Sequence, residues 1–314
     1  MFVHNVTLST PVNRKSLILL ARLISSTVVS VVKNRSNSLT ENSIVKFQRL
    51  RKALILSAFF IACYSAQPAN TQPLSSVSDA CPEFIRHEKA IITYIHDGDT
   101  VHLSDKRKVR LIGIDTPELA RKVRNRLQPE QAFAKEARDY ARALIKQLGS
   151  EVTLMAGSEA TDKYGRHLFH IQLSDGSLLQ TRLLDAGFAI AFTTPPNQHF
   201  SQCYLQQEKL SKNQHKKIWS HQKYKPIQVS QLTNKISGFH IIKGVVRQIG
   251  ESKKAFWINL KGNFSARIKK SDMKYFSKPL QTLVGQTIAI KGWVRRYKDK
   301  YQISLRHPSA IEQL

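Results

Sequence analysis

Residues 90–118 read AIITYIHDGDTVHLSDKRKVRLIGIDTPE. The segment punctuates itself. Residues 90–95 are apolar and β-branched, as a strand requires. His96-Asp97-Gly98-Asp99-Thr100 follows, and Asp-Gly marks a turn. Residues 101–103 resume a strand. Residues 108–114 predict a third, with Val109, Leu111 and Gly113 alternating with Arg110, Ile112 and Ile114. Pro117 blocks further pairing, so Asp115-Thr116-Pro117-Glu118 closes the run.

The strand ends carry the chemistry. Asp99 lies past one turn, Asp115 ends a neighbouring strand, and Glu118 follows the bend at Pro117. Two or three carboxylates beside a backbone carbonyl suit a hard cation such as Ca²⁺, which takes oxygen ligands. Few protein ligands leave room for water and a phosphate oxygen, the layout of metal-assisted phosphodiester hydrolysis. A remaining carboxylate can orient water, and arginine forks match phosphate oxygens. Strict alternation puts Arg110 on the face opposite Asp115, unless the strand bulges or coils. A second arginine, Arg166, ends Thr161-Asp162-Lys163-Tyr164-Gly165-Arg166, a tight turn ahead of a strand at 167–173.

The whole chain of 314 residues is long enough for about two domains. Lys and Arg number 49 against 22 Asp and Glu, a net charge of +27, so a polyanion is the natural partner. The excess is uneven. Residues 67–229 hold 17 of the acids, whereas residues 230–314 carry 17 basic and 4 acidic residues. Three cysteines, Cys63, Cys81 and Cys203, exclude a four-thiolate zinc cluster and a disulfide-dense miniprotein.

Asp97-Gly98-Asp99-Thr100, Arg110 to Ile114, Asp115-Thr116-Pro117-Glu118 and Asp162-Lys163-Tyr164-Gly165-Arg166, in that order, resemble the staphylococcal nuclease (thermonuclease) family over roughly residues 86–222. The resemblance implies an α+β, mainly β-barrel fold: an oligonucleotide-binding (OB) barrel with three helices. It implies Asp99 and Asp115 as calcium carboxylates and Thr116 as a carbonyl donor. Glu118 is then the general base, and Arg110 and Arg166 the phosphate-binding arginines. The implied activity is Ca²⁺-dependent cleavage of DNA and RNA at the P–O5′ bond, leaving 3′-phosphates. Phe192 and Thr194 stand where the family carries tyrosines, which puts terminal-phosphate recognition in doubt. Residues 119–127 carry Arg121, Lys122, Arg124 and Arg126 without an acid. They read equally as a basic flap or as a solvated loop.

Helices are expected at 129–148, 178–186 and 201–212 from apolar spacing of three and four. Asp97 reads as a turn former, and Asp162 and Lys163 as turn and surface residues. Arg110 can also serve as a structural ion-pair partner. His96, His102, His167 and His170 lack a zinc spacing.

Residues 1–66 form a basic leader whose apolar segment 53–63 reads as a secretory signal, too short to span a bilayer. Export to the periplasm or medium is expected, with lipidation at Cys63 the weaker alternative. Residues 1–45 are an unusually long n-region, consistent with a later translation start. Residues 67–85 read as a linker, and Cys81 and Cys203 as the one pair available for a disulfide.

Residues 86–225 form the nuclease domain in this reading, and 236–314 a basic second barrel. The latter has strands at 239–250, 254–260, 262–268, 286–296 and 300–306, and is similar to OB folds appended to other bacterial nuclease-like proteins. Its aromatics, among them Phe256, Trp257, Trp293 and Tyr297, suit stacking on bases of an unpaired strand, although half of them belong to the core if the strands alternate. DNA and RNA are the expected partners, with no obligate protein partner and a monomeric state. The alternative function is a catalytically silent nucleic-acid-binding protein on the same barrel. A third reading is an envelope-anchored polyanion binder.

Overall fold

The computed structural model describes residues 81–83, 87–123, 126–234 and 236–314, all within one compact unit. The leader 1–66 with its apolar segment 53–63 and Cys63, and most of the linker, lie outside the described residues. In chain order the first part runs β1 (His87–Ile95), β2 (Thr100–Leu103), β3 (Lys108–Leu111), β4 (Ile114–Asp115), β5 (Arg121–Val123) and β6 (Arg126–Gln128). It continues with α1 (Ala134–Leu148), β7 (Glu151–Thr161), β8 (His167–Gln172), α2 (Leu179–Asp185), β9 (Ile190–Ala191) and α3 (Ser201–Asn213).

Five of these strands close a barrel in the order β1-β2-β3-β8-β7. β3 runs parallel to β8 and the other neighbours are antiparallel, the connectivity of an OB fold. Ile92, Val101, Val109, Leu154 and Ile171 are buried in its core. Ala137, Ala141 and Leu144, spaced four and three apart, bring one face of α1 against the same core. A disulfide joins Cys81, ahead of β1, to Cys203 in α3, across 122 residues.

Three local differences from the sequence expectations have physical causes. Helix α1 begins at Ala134 rather than 129, because Phe133 is left-handed (φ 69°) and its ring packs toward a separate apolar cluster. The basic segment after Glu118 forms a hairpin, β5 paired with β6, instead of a loop. The expected strand at 108–114 breaks after Leu111. Gly113 adopts φ 82°, and the chain restarts as β4, which pairs with β9 rather than continuing the barrel.

The second part comprises β10 (Ile227–Gln228), β11 (Gly238–Glu251), β12 (Ala255–Leu260), β13 (Phe264–Lys269), β14 (Thr287–Tyr297), β15 (Lys300–Leu305) and β16 (Ile311–Gln313). The cycle β11-β12-β13-β15-β14 closes through a β11–β14 pairing, with β13 parallel to β15. Strand for strand this repeats the connectivity of the first barrel. Ile242, Ile258, Phe264, Ile268, Ile290 and Ile303 fill its interior.

A third cluster joins the two barrels. Ile190 of β9 meets Ile218, Trp219 and Tyr224 of the connecting segment and Phe239, Ile241 and Ala289 of the second barrel. Beside it, Lys291 of β14 forms a buried ion pair with Glu208 of α3, whose other oxygen accepts the Ala191 backbone N–H at 2.9 Å.

His170 on β8 is buried, with Nδ1 2.7 Å from the Tyr204 hydroxyl. Burial pushes its pKa down to about 3, whereas an unfolded histidine titrates near about 6.5. The unfolded chain therefore binds the extra proton between those values, and stability falls as pH drops through that window. Between about pH 7.5 and about pH 5 this residue accounts for a loss of about 2 kcal/mol. Urea denaturation should show that loss in wild type but not in His170→Gln, and parallel pH curves would refute it. Gly113 supplies a second test. Its backbone is left-handed, and an added Cβ would lie 2.6 Å from the Tyr204 ring. Gly113→Ala should cost at least about 2 kcal/mol in the same assay; an unchanged urea midpoint would show that the turn accommodates a side chain.

Candidate active site

The break at Ile112-Gly113 determines where Arg110 points. Its Nη1 donates to the carbonyls of Leu111 and Ile114 at 2.8 and 2.9 Å, bracing the turn from inside. Its Nη2 lies 3.0 Å from Asp99 Oδ2 and 2.8 Å from Asp115 Oδ1. Arg110 and Asp115, which strict alternation would separate, thus face each other, because the backbone turns between them. The structural ion pair that the sequence allowed is present, and it links the two acids expected to matter.

Thr116 donates its backbone N–H to Asp99 Oδ2 at 2.9 Å, joining the two carboxylate-bearing segments. Asp97 forms the expected turn, accepting the Asp99 N–H at 3.1 Å, yet it is buried in the same electrostatic neighbourhood. Its pKa rises to about 7, first through burial and then through repulsion from Asp99. Asp115 also rises to about 7, through burial and the charges of Asp99, Glu118 and Asp97, against the opposing pull of Arg110.

Glu118 lies at the rim, its side chain 39% exposed and 3.3 Å from Arg121 of β5. Arg166 is oriented by Asp162, whose Oδ2 accepts from its Nε at 2.8 Å and whose Oδ1 accepts its backbone N–H at 3.0 Å. Arg166 Nη1 reaches Thr100 Oγ1 at 3.5 Å, and that hydroxyl donates to Asp99 Oδ1 at 3.2 Å. Arg166 therefore approaches the same carboxylate from the far side. Exposed Tyr164 lies under both Lys163 and Arg166, with ring centroids 4.9 and 5.6 Å from the cationic centres.

The acidic groups at the centre, Asp97, Asp99 and Asp115, offer only oxygens, and Arg110 is the cation paired with Asp99 and Asp115. That chemistry fits a hard divalent cation held by two carboxylates and a carbonyl. Among the described residues no three of His, Cys, Asp and Glu enclose a point as a metal cage. His96 and His102 stack with centroids 6.2 Å apart, and His170 is buried against Tyr204.

A cleft of about 660 Å³ opens beside Arg110 and Asp115. The first barrel contributes Phe192, Thr194 and Tyr164; the second contributes Trp293, Arg295 and Arg306. Lys223, in the connecting segment, was not expected here. It donates to Gln131 Oε1 at 2.9 Å, and its pKa is lowered by burial while the Asp115 charge opposes the shift. Neither Lys223 nor Arg306 sits in a local pattern, since folding alone brings them near.

A sequence model of the family described as "Staphylococcal nuclease homologue" matches residues 108–221. The chain is 32% identical over 139 residues to a thermonuclease of Staphylococcus intermedius, covering 43% of this chain and 78% of that protein. It is 30% identical over 139 residues to endonuclease YhcR of Bacillus subtilis (strain 168), covering 42% of this chain and 11% of YhcR. It is 30% identical over 132 residues to the SPbeta prophage-derived endonuclease YokF of B. subtilis, covering 41% of this chain and 43% of YokF. With an OB barrel, the ordered motifs and a relative matched over most of its length, this chain belongs to the staphylococcal nuclease family.

Proposed function

We propose that the protein is an exported, Ca²⁺-dependent, sugar-nonspecific endonuclease that hydrolyses DNA and RNA at the P–O5′ bond and leaves 3′-phosphates. The observation that carries this reading is the convergence of Asp99 and Asp115 on Arg110 within 3.0 Å, with Thr116 tied to Asp99. Asp99, Asp115 and the Thr116 carbonyl would hold the ion, which supplies positive charge to polarise the phosphate. Glu118 accepts the proton of the attacking water from the exposed rim. Arg110 and Arg166 pair with phosphate oxygens and offset the charge that gathers on phosphorus as the 5′-oxygen leaves. The net charge of +27 favours any polyanionic strand, consistent with both DNA and RNA as substrates.

Export is supported by the apolar segment 53–63 behind a basic flank. It is also supported by the Cys81–Cys203 disulfide, a bond that persists in oxidising compartments.

The test is digestion of single-stranded DNA, duplex DNA and RNA by the purified protein, with calcium and with a chelator. Cleavage should require calcium and release 3′-phosphate ends. Glu118→Gln should reduce kcat by roughly 10²–10⁴. Binding without cleavage under any divalent metal would instead favour the silent nucleic-acid-binding protein.

A further inference from the structure

The second barrel is fixed against the site. The apolar cluster around Ile190, Phe239 and Ala289 joins it to β9, and β9 pairs with the strand bearing Asp115. Glu208, paired with buried Lys291, accepts the Ala191 N–H of β9. Arg306 donates to the Pro195 carbonyl at 2.8 Å and lies 3.9 Å from Asp272. A wall so attached has a set position relative to the catalytic groups.

What that wall presents is specific. Phe192 and Trp293 meet in a T-shaped pair at 84° with centroids 4.7 Å apart, so an aromatic contact crosses from one barrel to the other. Phe239 braces Trp293 from within the second barrel at 5.4 Å, yet Trp293 remains 40% exposed, in the lining of the cleft. Arg295 follows two residues along β14 and Tyr297 two beyond that, both exposed. Alternate residues of a strand share a face at intervals of roughly 6.6 Å. The sequence aromatic, cation, aromatic therefore runs outward from the cleft, on a module with 17 basic and 4 acidic residues.

We propose that the second barrel forms part of the substrate site: Trp293 stacks on a base next to the scissile phosphate, and Arg295 and Arg306 hold the flanking backbone of an unpaired strand. This rests on the phosphodiesterase reading and deepens it. Stacking needs an exposed base face, which a duplex hides between its own pairs, whereas phosphate contacts alone would accept either. A ring beside two arginines therefore points to single-stranded DNA or RNA.

The test uses the full chain carrying Glu118→Gln, so that the strand stays intact, and a fluorescein-labelled single-stranded oligonucleotide of about 12 nucleotides, within the reach of OB-type sites. Affinity is read by anisotropy with calcium present. Adding Trp293→Ala should weaken binding roughly tenfold or more, and Trp293→Phe should regain most of it. Arg295→Ala should weaken binding and lower the slope of log affinity against log salt by about one. An unlabelled duplex of the same length should compete at least tenfold less well. Thermal melting of each variant confirms folding; if Trp293→Ala fails to fold, Trp293→Phe and Arg295→Ala decide.

Unchanged affinity in folded Trp293→Ala and Arg295→Ala overturns the proposal, as does equal competition by duplex. A protein with Glu118 intact that cuts nothing, while Trp293→Ala still weakens binding, overturns the hydrolase reading and leaves the composite cleft standing. Normal cleavage with unaltered binding overturns the composite cleft alone.

Discussion

Everything at the site depends on one guanidinium held between two carboxylates. Asp99 comes from the turn before β2 and Asp115 from β4, and Arg110 reaches both. Partly buried charges are costly unless paired and hydrogen-bonded. The two remaining Arg110 contacts, to the carbonyls of Leu111 and Ile114, meet that requirement by folding the backbone around the side chain. The turn at Gly113 is thus part of the electrostatics. Without it the strand would continue, and Asp115 would face away from Arg110.

The dependence extends outward. β4 carries Asp115 and has no place in the barrel, so it is held by pairing with β9. β9 in turn is fixed by Glu208, which accepts the Ala191 N–H, and Glu208 is neutralised by Lys291 from the second barrel. Removing either partner of a buried pair leaves an uncompensated charge, so the link constrains both sides. The strand end that bears Asp115 and the second barrel are therefore mechanically continuous, through a cluster that includes Ile190, the residue paired with Asp115.

Much of this was legible in the sequence, for reasons that particular residues make clear. β1, β2 and β8 carry β-branched or apolar runs bounded by turn residues, so their signals are local. The break in the expected strand 108–114 was open in the sequence: Ile112 and Ile114 satisfy a strand pattern, whereas Arg110 and Asp115 could share a face only if the strand bulged or coiled, and the bonds from Arg110 to the Leu111 and Ile114 carbonyls close that turn. Phe133 fits a helical repeat at 129–148, but its backbone is left-handed and its ring packs against both the first core and the inter-barrel cluster, so the helix begins at Ala134. β7 went unnamed: Val152 and Leu154 alternate cleanly, but Gly157-Ser158-Glu159 dilutes the signal, and its register shifts after Ala156. The site carboxylates and arginines were legible because they cluster in short motifs. Trp293 stood out as an aromatic in a basic module, but its place in the lining of the same cleft as Arg110 is a property of how two barrels pack, which no local pattern encodes.

The two barrels share one strand order and divide the charge between them. Residues 67–229 keep 17 of the 22 acids, and the last 85 residues hold 17 bases against 4 acids. The division follows from conflicting demands. A site built on carboxylates needs uncompensated negative charge to attract a cation, and each lysine added beside it weakens that attraction. A strand of phosphates needs the opposite field, acting over a Debye length of about 8 Å at physiological salt. The second barrel's excess of cations, with Arg295 and Arg306 in the lining of the cleft, makes the approach to the carboxylates attractive to a polyanion. The rigid junction then matters as much as the charge, because a loosely tethered basic module would raise affinity everywhere along a strand and would not place a phosphate at Arg110.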